Sequence, residues 1–121
     1  MKKALLLSAL ALLVLAGSSS ALVYIYDGVV KDNHTGSWTV TEGADVLSNA
    51  PYSDHATSNQ NGYYAMPGYP TPAGTYKVVG EKVINGDTYG TCGWHYYNGS
   101  STTHDVDLYM THPPVLCEES K

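Results

Sequence analysis

The sequence predicts an all-β domain of the sandwich class behind a cleavable export leader. Three observations carry this. Short β-branched and aromatic runs alternate with Gly, Pro, Asn, Asp and Ser clusters from residue 22 onward. No stretch of that region keeps a helical period long enough to bury one face. The first 21 residues have the n-, h- and cleavage-region pattern of a secretory signal.

The leader reads as follows. Met1-Lys2-Lys3 is a basic start, and Ala4–Ala16 is apolar except for Ser8. Ser19 and Ala21 are the small residues of a cleavage site. An apolar run of 13 residues is too short for a hydrocarbon core that takes roughly 20 to cross. The expected division is therefore signal peptide 1–21, β-sandwich domain 22–112 and C-terminal tail 113–121, with no stable membrane insertion after cleavage and a secreted or cell-surface location.

Cleavage leaves four lysines against 11 acids, a net charge of −7, and the chain has no arginine. A basic footprint for phosphates is missing, so nucleic acid is not an expected partner. There are 11 Tyr and two Trp but no Phe, all after Ala21. Tyrosine suits half-buried strands and recognition surfaces, because an apolar ring carries a polar tip. Two cysteines in an exported chain read as one disulfide, Cys92–Cys117. It would close a loop worth ~3 kcal/mol of chain entropy and staple the tail.

The strands are predicted in order. Val23–Lys31 is the first, followed by the turn Asp32–Gly36. Trp38–Thr41 and Ala44–Leu47 are extended around Glu42-Gly43, and Asn49–Asp54 is a loop. Ala56–Ser58 meets Tyr63–Met66 across Asn59–Gly62, where Asn-Gly supplies a positive φ. Pro67–Gly74 is a rigid loop, since prolines cannot donate to a ladder. Thr75–Ile84 and Thr88–Tyr97 flank the turn Asn85–Asp87, and the glycines of the second suggest a bulge. Asn98–Thr102 is a turn. His104–Thr111 is the last strand, with Val106, Leu108 and Met110 on one face and Asp105, Asp107 and Tyr109 on the other.

In the same order the chain resembles carboxypeptidase regulatory-like domains. Gly28-Val29-Val30-Lys31-Asp32 with Thr35-Gly36 resembles their opening G-x-V-x-D-x-x-T-G, and Gly43–Val46 their G-A-x-V step. Ser58–Tyr64 resembles the T-D-x-x-G-x-Y hairpin, Pro72–Val78 the P-x-G-x-Y-x-V segment, and Val106–Leu108 the closing V-x-L. The resemblance covers most of Tyr26–Met110 and implies a transthyretin-like, seven-stranded Greek-key sandwich without enzymatic activity. Transthyretin-like hydrolases need an arginine and a C-terminal Tyr-Arg-Gly-Ser, which this chain lacks.

Candidate functional residues follow from the pattern. On the first strand, Tyr26, Gly28 and Val30 are placed inward, leaving Val23, Ile25 and Val29 as an outward apolar row. Such a row is a pairing surface for a second copy, so the leading expectation is a structural module, a self-assembling subunit of an extracellular filament or surface layer. The alternative is a carbohydrate-binding module in which Trp38, Trp94, Tyr96 and Tyr97 stack on a polysaccharide. Asn33-His34-Thr35 and Asn98-Gly99-Ser100 are glycosylation sequons at Asn33 and Asn98. The five scattered histidines read as solvated loop residues, and no metal, cofactor or catalytic residue is implied. The leader carries the first testable expectation: exported protein begins at Leu22. Intact-mass measurement checks this, and a mass retaining Met1–Ala21 would make the apolar run a hydrophobic stalk instead.

Overall fold

The computed structural model describes residues 23–68, 71–99 and 103–118; the leader and Leu22 lie outside them. Among the described residues there are nine strands and no helix: β1 (Val23–Asp32), β2 (Thr39–Val40), β3 (Asp45–Ser48), β4 (Ala56–Thr57), β5 (Tyr63–Gly68), β6 (Gly74–Ile84), β7 (Asp87–Tyr97), β8 (His104–Asp105) and β9 (Leu108–Met110). They form two sheets. In one, β1 is the hub and pairs with β2, β5, β8 and β9; the other runs β4-β3-β6-β7. One apolar cluster is shared between them, with Tyr26, Val30, Tyr64 and Met66 from the first sheet meeting Val46, Val78 and Tyr97 from the second.

β1 differs from its predicted form in one important way. Its pairing with β5 slips between Tyr24 and Tyr26. The extra residue breaks the period of two, so Ile25 and Tyr26 both turn inward and both are fully buried. The predicted outward row of Val23, Ile25 and Val29 is therefore broken at its centre: Ile25 is core, Val29 stays outward and half-buried, and the side chain of Val23 lies outside the described residues. Nor is β1 an edge, because β5 lies along one side and β8 and β9 along the other. Tyr26 and Val30 face inward as the sequence predicts.

The predicted last strand is interrupted at Val106-Asp107. The Val106 amide donates to the Asp27 carbonyl at 2.6 Å, and the Val29 amide donates to Asp107 Oδ1 at 3.0 Å. A carboxylate thus takes a ladder bond that a main-chain carbonyl would otherwise accept, which splits β8 from β9. Here the chain comes very close to β1: a Cβ on Gly28 would lie 2.2 Å from the Val106 carbonyl oxygen. Val106, Leu108 and Met110 are buried and Tyr109 is exposed, as predicted.

The bulge predicted among the glycines of the seventh strand is absent. β6 and β7 pair without a break from Gly74↔Tyr97 to Ile84↔Asp87. Asn85 and Gly86, both at positive φ, make the two-residue turn. The predicted loop at Pro67 starts later, since β5 runs to Gly68. Pro67 sits opposite Tyr24, next to the slip in the ladder, where a missing donor costs little.

A core without phenylalanine must satisfy its tyrosine hydroxyls. Tyr26 donates to the His95 carbonyl at 3.0 Å, and Tyr64 donates to the Val106 carbonyl at 2.7 Å. Burial, with smaller contributions from Tyr76 and Tyr97, pushes the Tyr26 hydroxyl up to about 12, and burial raises Tyr64 further. Cys92 and Cys117 are bonded, with Cα atoms 5.1 Å apart. The tail from Thr111 to Glu118 therefore lies against β7: Thr111 exchanges two main-chain bonds with Gly90, and Trp94 Nε1 donates to the Glu118 carbonyl.

The contact at Gly28 is the tightest test of this arrangement. Gly28→Ala should cost about 2–3 kcal/mol by denaturant titration, because the new methyl meets main chain rather than a side chain that can swing away. An unchanged midpoint would show that the β8–β9 segment does not press on β1.

Candidate functional site

The outward side of the β1 sheet carries a connected set of exposed aromatic and charged side chains. Parity and register build it row by row. Tyr109 on β9, Lys31 on β1 and Val40 on β2 are lateral neighbours. Trp38 precedes β2 and packs edge-on to Tyr109, with ring centroids 5.2 Å apart and planes at 81°. The two rings are 46% and 47% exposed, so each keeps about half its surface for a ligand. The next row holds Val29 and exposed Tyr63, which are cross-strand partners. Asp27 and Asp105 are paired beyond them, and Ala65 sits on the other side of Asp27.

The polar groups of this face are tied together. Tyr63 OH donates to Asp27 Oδ2 at 2.9 Å, which, with burial and the same charge, raises the phenol above its ordinary value. Asp105 is raised chiefly by the neighbouring Asp107 charge, then by desolvation and Asp27. One end of the face is therefore aromatic with a single lysine, and the other is rich in hydrogen-bond acceptors. No group of three or more His, Cys, Asp or Glu among the described residues is arranged to hold a metal ion.

The Trp38 loop is held by a buried carboxylate. Asp32, at the end of β1, is 1% exposed. Its Oδ1 accepts from the His34 amide at 2.9 Å and lies against His34 Nδ1, while its Oδ2 accepts from Thr41 Oγ1. An Asp side chain bonding the amide two residues on makes an Asx turn. Thr41 lies just past β2, so the carboxylate adds to the β1–β2 ladder in tying both flanks of the loop 33–38. An Asp–His pair of this kind also polarises an imidazole. Among the described residues, no hydroxyl or thiol is hydrogen-bonded to the rest of the His34 ring, so the geometry supports positioning of the loop.

The predicted stacking residues do not form one platform. Trp38 lies on the β1 sheet. Trp94 and Tyr96 lie on the outer side of β7, where Trp94 is half-buried under the tail and Tyr96 is exposed. Tyr97 is corrected: it is fully buried and packs edge-on to Tyr26 and against the His104 ring. The histidines are corrected in part as well. His34 is bound to Asp32, and His95 sits on β7, where burial lowers its pKa. Asn33 and Asn98 are both exposed, and Ser100 of the second sequon lies outside the described residues.

Sequence reading missed Asp32, Thr41, Lys31, Tyr63 and Asp27 as site residues. Asp105, Asp107 and Tyr109 already shared an outward face by parity. The missing signal was that β9 runs parallel to β1, which sets Tyr109 beside Lys31. Comparisons of the chain with protein-family models, with curated proteins and with solved structures found no match.

The Asp32 network makes stability pH-dependent. Burial alone would raise this carboxyl, but the bonds from Thr41 and His34 outweigh it and hold the pKa below its ordinary value. Its contribution is therefore complete above the unfolded value of about 3.9 and is lost as the pH falls through the lower folded value. Asp32→Asn should lower stability by about 2 kcal/mol at pH 7, since it removes a charge-assisted acceptor and leaves buried donors poorly matched. The variant should also show a shallower acid limb when urea midpoints are followed below pH 4. A wild type that gains stability on acidification would contradict this assignment.

Proposed function

We propose that this chain is an exported, non-catalytic recognition module that binds a neutral polysaccharide on the outer face of its β1 sheet. The observation that carries this reading is the half-exposed Trp38–Tyr109 pair, fixed at the rim of a sheet face that continues into Tyr63, Asp27, Asp105 and Asp107. Sugar rings present flat C–H faces and a rim of hydroxyls. Aromatic rings take the faces, and carboxylates accept from the hydroxyls without requiring charge on the ligand. Export is supported by the leader sequence and is compatible with the Cys92–Cys117 bond.

The same reading takes the chain as a divergent carboxypeptidase regulatory-like sandwich of the seven-stranded Greek-key, transthyretin-like kind. The ordered motifs from Gly28 to Leu108 support it, as does the division into two sheets around one core. In this view β2 and β4 are short additions at the sheet margins.

The second reading, a structural subunit of an extracellular assembly, no longer draws on the first strand, because Ile25 faces the core and β1 is paired on both sides. What favours it is the apolar surface that the tail leaves exposed at Val115 and Leu116.

Sugar binding is tested by Trp fluorescence and affinity electrophoresis against soluble β-glucan, mannan, xylan and chitin oligomers. One of these should shift the emission of the wild type, and Trp38→Ala should bind it about tenfold more weakly, or about 1.4 kcal/mol. Trp94→Phe should retain affinity. Loss of binding in Trp94→Phe with retention in Trp38→Ala would move the site to the other sheet, and no shift with any glycan would leave the face without this role.

A further inference from the structure

The slip in the β1–β5 ladder sets one more ring on the outer face of the β1 sheet. Tyr24 lies just before the slip, opposite Pro67, and Pro67 shares the outward parity of Ala65 and Tyr63 on β5. Ile25 and Tyr26 both turn inward, so the alternation resumes in step at Asp27. Tyr24 is therefore outward and 49% exposed, on the same face as Asp27, Val29 and Lys31. A strict period of two counted from buried Tyr26 would turn it inward.

The rings of this face fall in a line along β1. Trp38 and Tyr109 stand at the Lys31 end. Tyr63 starts opposite Val29, and its hydroxyl reaches the diagonal neighbour Asp27, so its ring runs along the face toward Tyr24. That hydroxyl, raised chiefly by its bond to Asp27, also feels Tyr24 and Asp105, which places these groups together at one end of the row. Tyr24 and Lys31 are seven residues apart and the slip absorbs one of them, so the row is about 20 Å long at roughly 3.3 Å per residue. Crosswise, the row through Tyr109, Lys31 and Val40 holds one aromatic pair and ends with β2.

The charges on the face select the ligand. Asp27 and Asp105 lie between the rings, and Lys31 is the single lysine or arginine of the five strands in this sheet. An acidic polymer is repelled there, whereas the hydroxyls of a neutral one can donate to the carboxylates. We propose that an extended neutral glycan lies lengthwise along β1, with one sugar ring on the Trp38–Tyr109 pair and another, several units along the chain, on Tyr24. This rests on the sugar-binding reading above and adds to it a second stacking residue and a minimum length of ligand. Two ring sites joined by one chain reinforce each other only when the chain spans both. A short oligosaccharide therefore uses the Trp38 end alone.

The full-length exported protein tests this by titration calorimetry with β-1,4-linked oligomers of glucose, mannose, xylose and N-acetylglucosamine, from the dimer to the octamer. For the glycan that binds, affinity should rise about tenfold or more between the shortest and the longest oligomer. Tyr24→Ala should abolish that rise and leave dimer affinity unchanged, whereas Trp38→Ala should weaken binding at every length. Tyr24→Phe keeps the ring and should keep the rise; its loss there would make the hydroxyl responsible and overturn the stacking role. A Tyr24→Ala variant that matches the wild type at all lengths, or weakens dimer and octamer equally, overturns the proposal. So does a wild-type affinity that does not depend on length, or tighter binding of oligogalacturonate than of the neutral glycan. In those cases sugar binding that depends on Trp38 still stands. A wild type that binds none of the oligomers removes the sugar-binding reading itself, and this inference with it.

Discussion

The close approach of the Val106–Asp107 turn to β1 is the constraint on which the rest depends. Without a side chain at Gly28, the Val106 carbonyl can sit over β1 and receive the Tyr64 hydroxyl, while the Val106 amide and the Asp107 carboxylate take β1's own polar groups. That fixes β8 and β9 parallel to β1 and makes β1 a strand paired on both sides. Leu108 and Met110 then drop into the core, and Tyr109 is set beside Lys31. The chain continues from β9 into Thr111, which crosses to Gly90 and ties the first sheet to the second. One missing Cβ thus positions the core, the outer face of the β1 sheet and the tail.

Much of this was legible from residue types and alternation. The β6–β7 hairpin is announced by Asn85-Gly86 between two long alternating runs, and the buried set Val106, Leu108 and Met110 by period two. The disulfide follows from the cysteine count read together with the leader-like start of the sequence. What failed was parity carried across an irregularity. The slip at Tyr24–Tyr26 puts Ile25 inside, and only Pro67 on the partner strand hints at it. A bulge depends on both strands of a pair, so one strand's pattern cannot reveal it. The candidate face was scattered in the sequence for the same kind of reason. Trp38, Lys31, Tyr63 and Tyr109 come from four segments, and no local rule sets the parallel pairing of β9 on β1.

The buried Asp32 links stability to the sugar-binding face proposed above. Its carboxylate leaves water only because three donors converge on it from both ends of the β1–β2 connection. The connection has few apolar anchors of its own, since residues 33–38 are all exposed. A ring on such a loop would ordinarily sample many orientations and spend binding energy on being ordered. The Asp32 tether at the base and the Tyr109 ring at the tip reduce that cost before any ligand arrives. Asp32 is therefore a positioning residue for Trp38, although it lies beneath the face and is closed to solvent.

The face proposed to bind sugar and the tail lie on different sheets, and the fold keeps them apart. The β1 sheet offers side chains on a face whose strands are already paired, which suits a ligand of rings and hydroxyls. The outer side of β7 instead carries the tail, and the disulfide holds it there. Residues beyond Thr111 would otherwise be free to leave β7. Pro113 and Pro114 turn the chain after Thr111, and Pro114 packs over Gly90. Cys117 then fixes the tail at Cys92, and Trp94 holds the Glu118 carbonyl through its indole rather than its backbone. The tail is thereby kept against β7 by a disulfide, an indole bond and packing on Gly90, without adding a strand among the described residues.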